Sequence, residues 1–422
     1  MHGYKILERE GFFPRRDIRR KACFVKTYLL ALSISLIISW VLTPFVKKLA
    51  FRIGAVDRPN ARKVHHRIMP RMGGLAIYIG FMAAAVTTMD INDILCDDTI
   101  DTVVEVMGGL HPAYEYVTAA MERGKHVVTA NKALVAAYYR ELTALARKKG
   151  VALRCTAAVG GGIPWLVNLS RVKRLDTVCE VGGIMNGTTN FIMDAMHKSP
   201  VSFADILKEA QALGYAEADP SADIDGDDIR RKLCISANIA FDAVLDEAAI
   251  PTFGIRTVTA ADIAAFQAHG FACKLLATAQ ASEGGVCAFV EPTLVDKSEP
   301  EAAVPANYNL IGYTAERVGK QTFFGQGAGR FPTASNVMQD CLTVLAGERG
   351  FYTAEAVPAP LCAAAAHPYY VRTAAPDAFL HSRVADDWGT GVITGAVDVY
   401  EMLAWAKRQR EIDPTCFIAA IR

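Results

Sequence analysis

Apolar and polar positions follow two different patterns along the chain. Early on, residues 27–46 form a long run without any charge, and residues 72–89 form a second, less apolar one. The first run has the length of a helix that crosses a bilayer, and no cleavage motif of a signal peptide follows it. A buried helix of a soluble domain is the alternative. We therefore predict a basic segment over residues 1–26 and membrane-like helices over 27–89, with membrane contact through 27–46.

From residue 90 the pattern changes to short β-branched runs that alternate with amphipathic segments. It predicts strands at 101–108, 126–130 and 151–155, and helices at 111–124 and 131–150. Short connections between such elements imply right-handed crossovers and a parallel sheet.

A complete Rossmann domain also needs a G-x-G-x-x-G motif after its first strand, to hold a pyrophosphate at a helix N-terminus. No such motif precedes residue 101, and the glycine-rich run at 325–330 lacks a strand–helix context. We therefore predict a partial Rossmann-type parallel sheet, which forms a truncated dinucleotide-binding domain over residues 90–155.

The remaining chain predicts an α+β catalytic and dimerisation domain over residues 156–325. Its elements include a helix at 203–214 that ends at Gly214, a strand at 287–295, and a helix that Thr188 or Thr189 opens. A helix over 326–350 returns to the nucleotide domain, and the tail at 351–422 is read as strand, strand, helix, strand. The predicted fold class is α/β.

Composition narrows the function only slightly. The chain has 422 residues, with 45 Lys and Arg against 44 Asp and Glu, so it carries no basic excess typical of nucleic-acid binding. Its ten cysteines form no C-x-x-C pair, which favours reduced thiols of a cytosolic protein.

The main candidate chemistry lies in residues 214–232, GYAEADPSADIDGDDIRRK. The apolar spacing that follows predicts a helix on which Asp228 and Lys232, four residues apart, lie on one face. Glu217 and Asp223 precede this pair. Carboxylates beside one lysine suit the binding of a substrate amino group and a lysine that donates a proton. The alternative is a solvated helix start with an ordinary ion pair.

Six motifs in order carry a resemblance to homoserine dehydrogenase over residues 90–350. In chain order they are VVEVMGG (103–109), GKHVVTANK (124–132), AAVGGGIPWL (157–166), GIMNGTTNFI (183–192), the stretch at 214–232 and GQGAGRFPTAS (325–335). The resemblance implies reversible hydride transfer between NAD or NADP and aspartate 4-semialdehyde, which gives homoserine for threonine, methionine and isoleucine biosynthesis. It also implies a homodimer and a cytoplasmic location for the enzyme portion.

The resemblance assigns roles to individual residues. The catalytic residues that it implies are Lys232, as the proton donor, Asp228 and Lys132. For Lys132 the alternative is an ordinary surface lysine at the start of a helix. The substrate would contact Glu217, Asp223 and Asp228. The cofactor would contact Met107, Gly108, Ala130, Lys132, Gly214 and Gly327. A sodium-like monovalent cation would be held by oxygens at Thr156, Val159, Gly161 and Ile163.

Two parts of the chain depart from that family. Residues 54–81 resemble the first loop and second helix of polyprenyl-phosphate sugar-1-phosphate transferases, but the later acidic magnesium motifs of those enzymes do not follow. We therefore expect a junction between two unrelated genes, or a gene-calling or assembly artefact, near residues 89–91. The tail at 351–422 is interpreted as a degenerate ACT-like module. The alternative function is a chimeric or inactive, membrane-tethered remnant that lacks a working cofactor site.

Overall fold

The computed structural model describes residues 91–351, 356–362 and 365–422, and before them 33, 35, 37–49, 52, 56–57 and 69–70. The chain forms two compact units, Met1–Asp97 and Asp98–Arg422. In the first unit, residues 37–49 are helical, strands β1 (Val56–Asp57) and β2 (Met69–Pro70) pair antiparallel, and α1 spans Ile91–Leu95.

No helix in the described part of the chain is long and apolar enough to cross a membrane. The predicted crossing at 72–89 lies outside the described residues. The stretch at 27–46 is described at residues 33, 35 and 37–46, whereas the transferase-like stretch at 54–81 lies outside the described residues except for 56–57 and 69–70.

The second unit begins with a three-stranded parallel sheet in the order β3–β4–β5. Its elements are β3 (Thr102–Glu105), α2 (Ala113–Glu122), β4 (His126–Thr129), α3 (Lys132–Ala137), α4 (Tyr139–Lys149) and β5 (Leu153–Arg154). This arrangement confirms the predicted α/β class and the small parallel sheet. The single helix predicted at 131–150 is wrong, because Tyr138 leaves the helical region with φ −120° and ψ 25° and separates α3 from α4.

A nine-stranded mixed sheet dominates the rest of the unit, in the order β11–β10–β6–β8–β9–β18–β14–β16–β15. Its strands are β6 (Val178–Ile184), β8 (Phe271–Ser282), β9 (Gly285–Asp296), β10 (Tyr308–Ala315), β11 (Gly319–Gln326), β14 (Tyr369–Arg372), β15 (Val384–Asp387), β16 (Val392–Thr394) and β18 (Phe417–Ile421). The tail at 351–422 thus adds four strands to this sheet, through the parallel pairing of β18 with β9. Its assignment as an ACT-like module stays a prediction.

Two short strand pairs flank the large sheet. They are β7 (Ala243–Val244) with β12 (Val357–Pro358), and β13 (Ala366–His367) with β17 (Val397–Asp398). The remaining helices are α5 (Trp165–Val172), α6 (Gly187–Lys198), α7 (Phe203–Ala212), α8 (Ser221–Ile224), α9 (Asp227–Phe241), α10 (Ala260–Ala268), α11 (Arg330–Leu345), α12 (Ala378–His381) and α13 (Val399–Ile412). Two 3-10 turns span Thr156–Ala158 and Glu247–Ala249.

Helix α6 has its N-cap two or three residues earlier than the predicted Thr188 or Thr189. Asn186, in an extended conformation, is the N-cap, and its side chain accepts a hydrogen bond from the backbone N–H of Thr189. An amide or hydroxyl oxygen at this position satisfies an otherwise unpaired donor of the first turn. Asn186, rather than Thr188 or Thr189, therefore opens the helix.

Helix α9 links the two parts of the second unit. It is buried along nearly its whole length, and it packs on α3 of the parallel-sheet region as well as on β6, β8 and β9 of the mixed sheet. Its apolar side chains belong to the main hydrophobic core. Because the first turn of α9 faces α3, residues of both regions meet there.

One buried carboxylate lies within the mixed sheet. Glu291, on β9, is fully buried and accepts a hydrogen bond of 2.9 Å from the hydroxyl of Tyr369. The Arg422 guanidinium lies 3.7 Å from its other oxygen. Burial raises the pKa of Glu291 to about 7, although Arg422 and Tyr369 both favour the ionised form.

Glu291 should make the stability of the chain depend on pH. Between pH 4.5 and about 7 the folded chain retains a proton that the unfolded chain has released, so the free energy of unfolding falls as pH rises. The expected fall is about 3 kcal/mol. We expect the Glu291→Gln variant to lack this fall in the free energy of unfolding. Urea unfolding of the wild-type chain and of the variant at pH 5, 6, 7 and 8 would show the difference. Parallel pH dependences for the two proteins would contradict this assignment.

Candidate active site

The carboxylate of Asp228, in the first turn of α9, is shared by two lysines. Lys232 Nζ lies 2.7 Å from Oδ2, and Lys132 Nζ lies 3.1 Å from Oδ1. The side chains of Lys232 and Asp228 are only 8% and 9% exposed, whereas that of Lys132 is 39% exposed. The alternative of a solvated helix start is therefore wrong, because the pair is buried.

The two ammonium groups determine the charge state of Asp228. Burial opposes its ionisation, but Lys232 and Lys132 outweigh burial and hold the pKa of Asp228 well below its usual range. Lys232 Nζ also donates a hydrogen bond of 2.7 Å to the carbonyl oxygen of Met185. An ionised carboxylate thus fixes the position of both amines at neutral pH.

A second carboxylate, Asp223, joins this cluster through Asn186. The Asn186 amide donates to Asp223 Oδ1 at 2.7 Å and to Asp228 Oδ2 at 2.9 Å. The hydroxyl of Thr188 donates to Asp223 Oδ2 at 3.1 Å. Burial, followed by the nearby charge of Asp228, raises the pKa of Asp223. The sequence reasoning named neither Asn186 nor Thr188 as a site residue, although the resemblance assigned their segment, GGIMNGTTNFIMDAM (182–196), to the floor of the active site.

Lys132 reaches the cluster from the edge of the parallel sheet. It begins α3, whose N-cap Asn131 also donates a hydrogen bond of 2.7 Å to the carbonyl oxygen of Gly109. The loops after β3 and β4, with Gly108 and Ala130, therefore lie together at the carboxyl ends of the strands. Ligands bind at this edge in sheets of this kind.

Backbone groups of the same edge are held by Glu105, the last residue of β3. One of its oxygens accepts from the N–H of Met107 at 2.6 Å, and the other accepts from the hydroxyl of Thr129 at 2.5 Å. Gly108 has φ 80° and is exposed, and a Cβ added there would meet no atom of a described residue within 4 Å. The described residues thus leave the backbone of Gly108 uncovered, which suits a nucleotide ligand.

Two glycine-rich loops of the second unit touch through their backbones. A Cβ added to Gly161 would lie 2.5 Å from the carbonyl carbon of Gly327, and one added to Gly327 would lie 1.9 Å from Asn309 Nδ2. Asn309 is fully buried, and within the described residues neither polar atom of its side chain has a hydrogen-bond partner. We call this close contact of Gly161 and Gly327 the glycine cradle; the unpaired amide of Asn309 beside Gly327 is the observation there that suits a ligand.

Two predicted residues lie apart from these contacts. Glu217 is exposed, and its carboxylate makes no hydrogen bond or ion pair with any residue that the structure describes. Gly214 ends α7 with φ 75° and is also exposed. Their assigned contacts with substrate and cofactor stay predictions.

The predicted cation loop is hydrogen-bonded to side chains of α11. The N–H and hydroxyl of Thr156 donate to Asp340 at 2.8 and 2.6 Å. The carbonyl oxygens of Gly161 and Ile163 accept from the amide of Asn336. Two of the carbonyl oxygens that the resemblance assigns to an ion, those of Gly161 and Ile163, therefore already accept from a protein amide.

Comparisons with known proteins agree with this geometry. A family model described as "Homoserine dehydrogenase, NAD binding domain" matches residues 78–156, and one described as "Homoserine dehydrogenase" matches residues 164–342. The homoserine dehydrogenase of Pseudomonas aeruginosa is 43% identical over 258 residues, which cover 61% of this chain and 59% of that protein. That of Corynebacterium glutamicum is 41% identical over 305 residues, 71% of this chain and 67% of that protein.

A solved structure shows the same fold. The crystal structure of a homoserine dehydrogenase from Thiobacillus denitrificans aligns with a TM-score of 0.71 and 32% identity, and the alignment covers 81% of this chain and 87% of that one.

The fold and the site define an α/β protein with an NAD-binding domain and a separate domain built on a mixed sheet. The chain belongs to the homoserine dehydrogenase family. It spans about 59% of the length of the Pseudomonas relative. The two family models do not reach residues 1–77, so they lend no support to the transferase resemblance of residues 54–81. The match to the NAD-binding model begins at residue 78, before the expected junction at 89–91.

The close contact of Gly327 with the side chain of Asn309 predicts a steric effect. We expect Gly327→Ala to reduce the free energy of unfolding by about 1–3 kcal/mol, because the new methyl group meets the amide of Asn309. Asn309→Ala in the same chain should restore part of this loss. Urea unfolding measures the loss in Gly327→Ala and its recovery in the double variant. Gly395→Ala is the control, because Gly395 is exposed and no atom of a described residue lies within 4 Å of a Cβ added there. Equal losses for Gly327→Ala and Gly395→Ala would argue against the contact.

Proposed function

We propose that the chain interconverts aspartate 4-semialdehyde and L-homoserine with NAD or NADP. The observation that carries this proposal is the buried carboxylate of Asp228, which binds Lys232 of the mixed-sheet domain and Lys132 of the NAD-binding domain. It places two amines where the two domains meet. The matched family models and the relatives support the same reaction.

Lys232 is the proton donor of the proposed reaction. When bound, the nicotinamide supplies or accepts the hydride. An ammonium group has three N–H donors. Two of those on Lys232 go to Asp228 and to the carbonyl of Met185. The third remains for the substrate oxygen, which gains a proton as the aldehyde is reduced and loses it in the reverse direction.

The remaining residues of the cluster bind and orient the substrate. Lys132, which is the more exposed amine, lies beside the reacting carbonyl in this proposal. Asp223 receives the substrate ammonium in this proposal, together with Glu217, which lies outside the hydrogen bonds of the cluster. A cation beside Asp223 would also stabilise its ionised form, which burial and Asp228 disfavour in the free chain.

The residues of the proposed cofactor site suit only part of a nicotinamide dinucleotide. We assign Met107, Gly108 and Ala130, at the edge of the parallel sheet, and Gly327, in the glycine cradle, to the nicotinamide end. The G-x-G-x-x-G motif that would hold the pyrophosphate does not precede residue 101. This second observation favours the other candidate, a folded chain without a working cofactor site. We also propose, from the family, a homodimer in the cytoplasm, and membrane contact through residues 27–46.

The reaction predicts a specific loss on replacement of Lys232. We expect Lys232→Ala to lower kcat for homoserine-dependent reduction of NAD or NADP by about 10²–10⁴-fold, because the proton donor is removed. The control is Lys198→Ala. Lys198 forms the same i,i+4 ion pair, with Asp194 at 2.7 Å, but its side chain is 63% exposed. We expect this variant to keep the wild-type kcat.

The two candidate functions give different results in that assay. Activity with either cofactor in the wild-type chain, lost in Lys232→Ala alone, supports the dehydrogenase. A folded wild-type chain without activity toward either cofactor supports the second candidate. Full activity in Lys232→Ala would remove Lys232 from the mechanism.

A further inference from the structure

The loop at residues 156–163, to which the family resemblance assigns a monovalent cation, is tied to α11 by two buried side chains. Asn336 Nδ2 donates to the carbonyl oxygen of Gly161 at 2.5 Å and to that of Ile163 at 3.1 Å. Asn336 is buried. One amide group therefore stands where two of the predicted ligand carbonyls converge.

The first position of the loop is held by Asp340, one helical turn further along α11. Its two oxygens accept from the N–H and the hydroxyl of Thr156. Arg154 also donates to Asp340, at 2.9 Å, and both side chains are buried. The carboxylate is thus neutralised by an arginine and satisfied by protein donors.

These contacts do not fit a cation ligand set. A hard cation is held by several oxygens that converge on one point. Here the carbonyl of Thr156 accepts from the N–H of Val159 at 3.4 Å, and that of Ile163 accepts from the N–H of Trp165 at 2.7 Å in addition to Asn336. An ion between Gly161 and Ile163 would have to displace the amide of Asn336.

We propose that Asn336 replaces the monovalent cation, so that the loop at 156–163 forms in this chain without a bound ion. An amide N–H₂ group brings partial positive charge to the two carbonyls and loses no ionic hydration. The proposal concerns how the loop is held, and it stands independently of the proposed reaction.

The loop in turn supports the glycine cradle. The N–H of Gly162 donates to the carbonyl of Gln326 at 3.1 Å, and Gly161 packs directly on the backbone of Gly327. Asn336 is therefore a positioning residue, which acts on the cradle through the loop.

The test is thermal unfolding of the full chain in choline, sodium, potassium and lithium chloride at equal ionic strength. We expect the wild-type Tm to be the same in all four salts. Asn336→Ala should lower the Tm in choline by several degrees, because two buried carbonyls lose their donor. Sodium or potassium should restore part of this loss with a saturable dependence on its concentration.

Two further variants sharpen the test. Asn168→Ala is the matched control, since Asn168 Nδ2 also donates to a backbone carbonyl, that of Pro164 at 2.7 Å, but in an exposed position. Its Tm should change little and equally in every salt. Asn336→Asp places a carboxylate against the two carbonyls, and we expect it to depend on an added cation more strongly than Asn336→Ala.

Saturable stabilisation of the wild-type chain by sodium or potassium over choline would overturn the proposal, because the amide oxygen of Asn336 would then face an ion. An unchanged Tm of Asn336→Ala in all salts would overturn it as well. If neither Asn336 variant folds, the wild-type comparison alone decides.

Discussion

The buried carboxylate of Asp228 is the interaction on which the rest of the site depends. A charge removed from water costs several kcal/mol unless partners compensate it. Here the partners come from three places in the chain: Lys232 from α9, Lys132 from α3 and Asn186 from the turn after β6. The carboxylate is therefore compensated only when the parallel sheet and the mixed sheet are both in place. The same requirement brings the two amines to the boundary between the domains.

Helix α11 provides the second connection between the domains. Asp340 and Asn336, on α11, hold β5 and the loop that follows it, and this loop supports the backbone around Gly327. The backbone of Gly327 leaves no space for a side chain on Gly161, and the side chain of Asn309 leaves none on Gly327. Glycine is needed there for close backbone approach. The position of the cradle is thus determined by contacts that lie outside it.

Sequence reasoning reached the fold class and the centre of the site. Periodicity and the family motifs placed Asp228 and Lys232 on one helix face, and the parallel strands followed from alternating short runs. It did not reach Asn186, Asn309, Asn336 or Asp340, because their roles arise from contacts between residues far apart in the chain, such as Thr156 and Asp340. It also missed the break at Tyr138, where the amphipathic pattern continues but the backbone does not. The tail contains strands and a helix that match the prediction, β14, β16, α13 and β18, but the prediction missed α12 and the short strands β12, β13, β15 and β17. The addition of the tail to the large sheet depends on the pairing of β18 with β9.

The most direct measurement of the central interaction is a carbon-13 NMR titration of the aspartate side-chain carboxyl groups, with Asp228→Asn to assign the signal. Our account predicts that Asp228 stays ionised through the pH range in which an ordinary aspartate protonates, near 3.8, for as long as the chain remains folded. A signal from Asp228 that titrates at the ordinary pKa in the folded chain would contradict the account, because the two lysines would then not stabilise its charge.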